Sequence, residues 1–265
     1  MTRSRLQYAL AQVAVQAVVL LSVLSFWEFA VWFFEISKIV IPAPTDIAVS
    51  LYRSLISASF YRHLWVTMFE ILVGFGVGAG AGLLLGFLIG IFPALERTLY
   101  PYIVAFETIP KVAIAPIIVI WFGYGPASKV VITATIAFFP LIANTITGLR
   151  SAPSAQIEMM VAHTANRWQV FRAVRLPSAL PYVFAGLNIA IVLSVIGAIV
   201  GEFVGAKEGL GFLIMQRNFQ FDMAGTFAII ITLSVIGVTL HRIVLAIQKR
   251  TIFWMDTSRD QVAGP

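Results

Sequence analysis

The sequence predicts an all-α membrane protein, a polytopic bundle of about six transmembrane helices with both termini cytoplasmic. Three observations carry that prediction. Hydrophobic residues make up 60% of the 265 residues, against about 45–50% in a soluble domain. Charged residues are 11%, against about 25%, and a soluble globule so poor in charge would expose apolar surface and aggregate. Finally, apolar stretches recur along the chain at lengths near the roughly 20 residues that cross a bilayer core.

The spans fall near 13–34, 65–92, 101–122, 129–149, 179–201 and 226–248, in a single membrane domain covering 1–265. The first comes after Arg3 and Arg5. It is too long for a signal-peptide core and lacks a small-x-small cleavage site, so it reads as a retained span. The third is interrupted by Glu107, Pro110, Lys111 and Pro116, which predicts a bent helix packed inside the bundle. Five spans remain if it does not cross. In the loop 35–64, Pro42 and Pro44 form a rigid turn and Thr45-Asp46 can cap the segment beyond it. From Ile47 to Phe60 apolar residues recur at near-helical spacing, predicting a short helix at the membrane surface.

Loop cations set the orientation. A cytoplasmic N-terminus puts eleven inside, among them Arg97, Arg150, Arg167, Arg172, Arg175 and Arg259, and six outside, among them Lys38, Arg53, Lys129 and Arg217. The net charge of +6 then belongs to loops and anionic headgroups rather than to nucleic-acid binding. With no cysteine, disulfides and thiolate chemistry are excluded. His63, His163 and His241 lie in different segments, which argues against a metal cluster.

Gly74, Gly78, Gly82, Gly86 and Gly90 repeat every four residues along the second span. They make one smooth face suited to close helix packing, or to lining a pore. No Gly-Lys-Ser/Thr ending comes after them, so the run is not a phosphate loop. The inner loop 150–178 is the most informative stretch. Val161, Trp168, Phe171 and Val174 recur at roughly helical intervals among polar and basic residues, predicting an amphipathic helix–turn–helix. Asn166 is placed to cap its second helix and Pro177 to end it. On this pattern alone the loop is either a membrane-surface helix or a docking site.

This loop resembles the cytoplasmic signature of binding-protein-dependent ABC importer permeases, Glu-Ala-Ala, three residues, Gly, and about a dozen residues to Leu-Pro. Glu158 matches the first Glu, Leu176-Pro177 the ending, and the stretch from Asn166 and Arg167 through Phe171 the middle. Met159 and Met160 replace the alanines, and Thr164 stands where the glycine, which would allow positive φ, is expected. Pro42-Ala43-Pro44, Glu107-Thr108-Ile109-Pro110, the run Trp121 to Gly125, and Gly201-Glu202-Phe203 with Gly209-Leu210-Gly211 are similar to the nitrate, sulfonate and taurine branch.

The resemblance implies a pair of permeases, two identical copies in the simplest case, in a bacterial-type plasma membrane. It implies cytoplasmic ABC ATPase subunits that use ATP and Mg, no cofactor on this chain, and an extracytoplasmic solute-binding protein. Glu158, Met159, Ala162, Thr164, Asn166, Arg167, Trp168, Phe171, Leu176 and Pro177 would then form the ATPase-coupling loop, with Trp168 and Phe171 as its anchors. The solute would be sulfonate-, taurine- or nitrate-like, or a pyrimidine or other vitamin precursor. A stand-alone secondary transporter or channel usually shows two related halves, and a membrane enzyme needs clustered reactive groups; neither pattern is present in the sequence.

Ionisable groups inside spans need an explanation. Glu107 and Lys111, four apart, can pair along one helix face or line the pathway. Glu28 and Glu202 sit near an interface where hydration alone would account for them. Asn144, Asn188 and Ser194, with Thr145 and Thr147, are either interhelical hydrogen-bonding groups or part of the pathway.

Overall fold

A computed structural model describes residues 3–254, with side chains from residue 11. The side chains of Arg3 and Arg5, and Arg259, lie outside it. Packing divides the described chain into two compact units, 3–62 with 213–232 and 63–212 with 233–254.

In the first unit, α1 (Arg3–Phe33) leads to α2 (Pro44–Leu55). From Ala11 to Phe33, α1 forms a 23-residue apolar stretch with none of its most apolar window buried, the signature of a helix solvated by something other than its own fold. Glu28 is not left to hydration. Its carboxylate accepts from the Thr45 N–H at 3.1 Å and the Thr45 hydroxyl at 2.7 Å, which pins the first turn of α2 to α1. This also corrects the capping expectation. Pro44 occupies the first turn, Ala43 is the N-cap without a side-chain bond, and a carboxylate from a neighbouring helix supplies the acceptor that the exposed first N–H groups need. Asp46 instead pairs with Lys38 at 2.9 Å. The surface helix ends at Leu55, and a new helix starts at Ala58.

The second unit holds most of α3 (Ala58–Ile91), then α4 (Pro93–Thr108), α5 (Lys111–Phe122) and α6 (Pro126–Arg150). After these come α7 (Ser154–Ala162), α8 (Arg167–Val170), a π-helical turn Phe171–Arg175 and α9 (Leu176–Gly205). The helices α10 (Leu210–Phe219) and α11 (Met223–Thr251) each contribute part of their length. Among the described residues five helices are long and apolar enough to span, and α4 with α5 makes a sixth if its 91° bend belongs to one broken span.

The bend is caused by Pro110. The residue before a proline is driven out of helical geometry, and Ile109 sits at ψ 128°. Glu107 and Lys111 therefore end up on two different helices and form no ion pair. The Lys111 Nζ donates to the Glu107 carbonyl at 2.6 Å and lies 4.9 Å from the Phe139 ring centre. The helical i,i+4 geometry that pairing requires is absent where the helix breaks.

The glycine stripe of α3 runs against α6. A Cβ built on Gly74 would lie 2.5 Å from Thr133 Cβ, one on Gly82 2.7 Å from the Phe138 carbonyl oxygen, and one on Gly90 2.6 Å from Leu149 Cδ1. At Gly78 it would strike the backbone of Ala134, and at Gly86 Thr145. Successive glycines meet residues progressively further along α6, so the two backbones are as close as the missing side chains permit. Ile142 and Ile146 of α6 pack with Ile89, and Leu141 with Ala79 and Ala190, joining α3, α6 and α9 into one dry interior.

Candidate functional site

The loop 150–178 folds into two short helices and a tight turn. The helix α7 buries none of its side chains; Glu158 is exposed, and Met159 is 56% and Val161 59% exposed. At its C-terminus the Ala165 N–H donates to the Met160 carbonyl at 3.0 Å and the Thr164 N–H to the Val161 carbonyl at 2.9 Å. These two bonds are the Schellman arrangement, which needs a left-handed residue after the helix. Thr164 supplies it at φ 60°. The turn that the family pattern assigns to glycine is therefore built here with a β-branched residue in a region such residues avoid.

Asn166 begins α8 with a reciprocal cap. Its side chain accepts from the Gln169 N–H at 2.9 Å, and the Gln169 side chain accepts from the Asn166 N–H at 2.7 Å. Trp168 is 66% exposed and stacks on Phe171, ring centres 5.4 Å apart. Phe171 in turn meets Phe87 of α3 edge-on. Ala162, Arg167 and Arg172 are exposed, whereas Leu176 and Pro177 are partly covered.

Pro177 does not end the second helix, as its sequence position suggested. The turn Phe171–Arg175 widens to π geometry, with the Leu176 N–H bonded to the Phe171 carbonyl. A wider turn absorbs the register in which proline lacks its N–H. Arg167–Gly205 is consequently one 39-residue helical span.

A second constellation was missed by sequence reasoning. Glu202 is 2% exposed, so hydration does not account for it. Its carboxylate accepts from the Thr67 hydroxyl at 2.6 Å, from the Gly211 N–H, and from the Phe212 N–H at 3.3 Å. Thr67 accepts from the Leu210 N–H at 2.7 Å, and His63 Nδ1 from the Gly209 N–H at 3.0 Å. Gly209 holds φ 117°, and a Cβ there would collide with the Glu202 carboxylate. The loop after α9 is thus stapled to the interior by its backbone amides. Glu70, 1% exposed, lies beside Glu202.

Lys129, assigned to an outer loop by its position, is 1% exposed within α6. Its Nζ donates to the carbonyls of Tyr124 and Gly205, both at 2.7 Å. The available signal was the recurrence of Gly and Pro around it, which marks helix ends whose carbonyls need donors.

The residues expected along a pathway are not gathered into one cluster. Ser194 is fully buried and donates to the Ala190 carbonyl at 2.7 Å. Its hydroxyl finds an acceptor within its own helix. Asn188 donates to Phe184 and, at 2.9 Å, to Gln248 of α11, a link between helices. Asn144 donates to the Pro140 carbonyl at 2.8 Å and packs against Gly186. Glu107 is exposed and Lys111 half-buried. At the opposite end of α6, Arg150 forms an ion pair with the buried Glu96 of α4.

Known proteins are similar to this chain in sequence and in fold. Residues 78–253 match the family described as binding-protein-dependent transport system inner membrane component. The riboflavin transport system permease protein of Chloroflexus aurantiacus is 36% identical over 89% of this chain and 88% of its own length. The formylaminopyrimidine transport permease protein of Halalkalibacterium halodurans is 40% identical over 75% of this chain and 79% of its own. A putative aliphatic sulfonates transport permease protein of Bacillus subtilis is 28% identical over 89% and 85%. The fold matches a chain of the inward-facing MetNI methionine ABC transporter with a TM-score of 0.64 at 22% identity, over 72% of this chain and 95% of that one. The chain belongs to the binding-protein-dependent transport system inner membrane component family, the multi-pass permeases of ABC importers.

Proposed function

We propose that this permease forms the translocation pathway for a small solute delivered by an extracytoplasmic binding protein, and that the loop 150–178 couples it to a cytoplasmic ABC ATPase. The observation that carries this reading is the loop itself. Two short helices joined by a tight, fully bonded turn leave Glu158, Met159 and most of Trp168 exposed to solvent. Exposed aromatic and methionine side chains on a rigid turn are typical anchors for a partner groove. Phe171 extends the contact inward to Phe87, giving a displaced loop a packed route into the membrane helices.

In this reading ATP and Mg belong to the partner ATPase, and two copies of the chain face each other in a bacterial-type plasma membrane with their termini inside. Glu107, Lys111, Asn144, Asn188 and Ser194 are the pathway candidates. The relatives named for riboflavin and formylaminopyrimidine are more similar than the one named for aliphatic sulfonates. That ordering supports a heterocyclic vitamin or vitamin precursor as the solute.

The test is pull-down of the cognate ATPase by wild type, Glu158→Lys and Trp168→Ala. Capture by wild type and its loss in both folded variants is expected. An ATPase held equally by all three proteins would move the docking surface elsewhere.

A further inference from the structure

The first unit contains a cavity of about 600 Å³ that the transport reading does not use. Its floor is serine-rich and cationic. Arg217 is held in place from three sides, by Asp222 at 2.9 Å, Ser50 at 3.3 Å and Ser54 at 3.2 Å. Lys38 at the rim is balanced by Asp46 at 2.9 Å. Arg53 also lines the cavity, and among the described residues its guanidinium has no partner. The hydroxyls of Ser57 and Ser59, both on the wall, are likewise unengaged among the described residues. The cavity thus offers one uncompensated cation and two free hydroxyls beside a neutralised, rigid wall.

The surroundings of that cation are apolar. Along and just after α2, Val49 is 51%, Tyr52 66% and Ile56 67% exposed; Ile39 and Phe221, which line the cavity with Val49, are also exposed. A helix with apolar and tyrosine side chains outward and an arginine among them suits the bilayer interface. There the ring and aliphatic groups enter the acyl boundary and the guanidinium stays at headgroup depth. The charge and the apolar groups are interleaved along this one short segment, with Arg53 next to the exposed Tyr52.

We propose that this cavity binds a singly charged oxyanion, the phosphodiester of an anionic phospholipid. Arg53 supplies the charge-assisted hydrogen bonds and Ser57 and Ser59 the remaining donors, while the acyl chains leave over Val49, Tyr52 and Ile56. Bound lipid ties α2 to the beginnings of α3 and α11, all of which contribute to the wall.

The test uses the full chain in nanodiscs of phosphatidylcholine with increasing phosphatidylglycerol, native mass spectrometry counting the lipids retained. Wild type is expected to keep one phosphatidylglycerol per permease that Arg53→Gln binds about fivefold more weakly, the equivalent of about 1 kcal/mol for one cation at an anionic surface. The Ser57→Ala/Ser59→Ala variant should weaken retention further without removing charge. Soluble glycerophosphate, added at the same concentration as the lipid, should not compete. Equal retention by wild type and both variants overturns the site. Displacement by glycerophosphate or a short sulfonate reassigns it to a free oxyanion. Unchanged retention with loss of binding-protein docking reassigns it to a protein partner.

Discussion

Replacing Thr164 by glycine should strengthen the turn between α7 and α8. A β-branched residue in the left-handed region costs roughly 1–2 kcal/mol relative to glycine. The side chain offers nothing in return, since Thr164 is exposed and its hydroxyl has no hydrogen-bond partner among the described residues. Against this, glycine adds about 0.4–1 kcal/mol of chain entropy to the open state. The balance is a gain of about 0.5–1 kcal/mol. It is felt locally, at the Schellman bonds from Thr164 and Ala165 and at the cap between Asn166 and Gln169. Hydrogen exchange resolves such local opening. In Thr164→Gly the amides of 164, 165 and 169 should exchange about two- to fivefold more slowly, by the conversion of 1.36 kcal/mol per tenfold. Thr164→Ala, which keeps the strained φ, should leave them near wild type. Exchange in the glycine variant as fast as in wild type would refute the strain argument, because it would mean that threonine holds this conformation at no cost.

Three further outcomes rest on packing and polar satisfaction. Gly78→Ala drives a methyl group into the Ala134 backbone and should destabilise by about 1–3 kcal/mol, while Gly80→Ala, with nothing within 4 Å, should be neutral or slightly stabilising; thermal midpoints of the detergent-solubilised pair check this. Glu202→Ala leaves the Thr67 hydroxyl and the Gly211 and Phe212 amides without their acceptor, at about 1–3 kcal/mol each. That variant should lose its folded fraction by size-exclusion chromatography, whereas Glu158→Ala, at an exposed position, should not. Asn166→Ala removes the acceptor of the α8 cap and should cost about 1 kcal/mol, read as faster exchange at Gln169 with the spans unaffected.

The legible part of the sequence was whatever lipid or local geometry dictates. Five apolar segments, and a sixth if the bent pair α4 and α5 is one span, were legible because a span must satisfy its own backbone and show apolar atoms to lipid. The glycine spacing pointed to a close helix face, although it did not name α6. Partners distant in sequence were not legible. Glu202 meets Thr67 across 135 positions, and Lys129 meets the Gly205 carbonyl across 76, so their position near predicted span ends suggested water where the fold supplies donors and acceptors. Glu107 and Lys111 failed for a different reason. Spacing of four implies proximity only on an intact helix, and Pro110 removes that premise. Asn166 was legible as a cap because the Asn-x-x-Gln pattern is local. The left-handed Thr164 was not, since threonine carries no signal for it.

The π-helical turn at Phe171–Arg175 has a mechanical meaning. Had Pro177 broken the chain into two rods, a tug on α8 would be absorbed by a slack joint. Instead a single shaft of 39 residues runs from Arg167 to Gly205, roughly 58 Å at 1.5 Å per residue. Its far end is clamped through the Gly205 carbonyl by Lys129. In the coupling role proposed for the loop, a displacement of α8 would reach Gly205 through one continuous helix rather than across a joint.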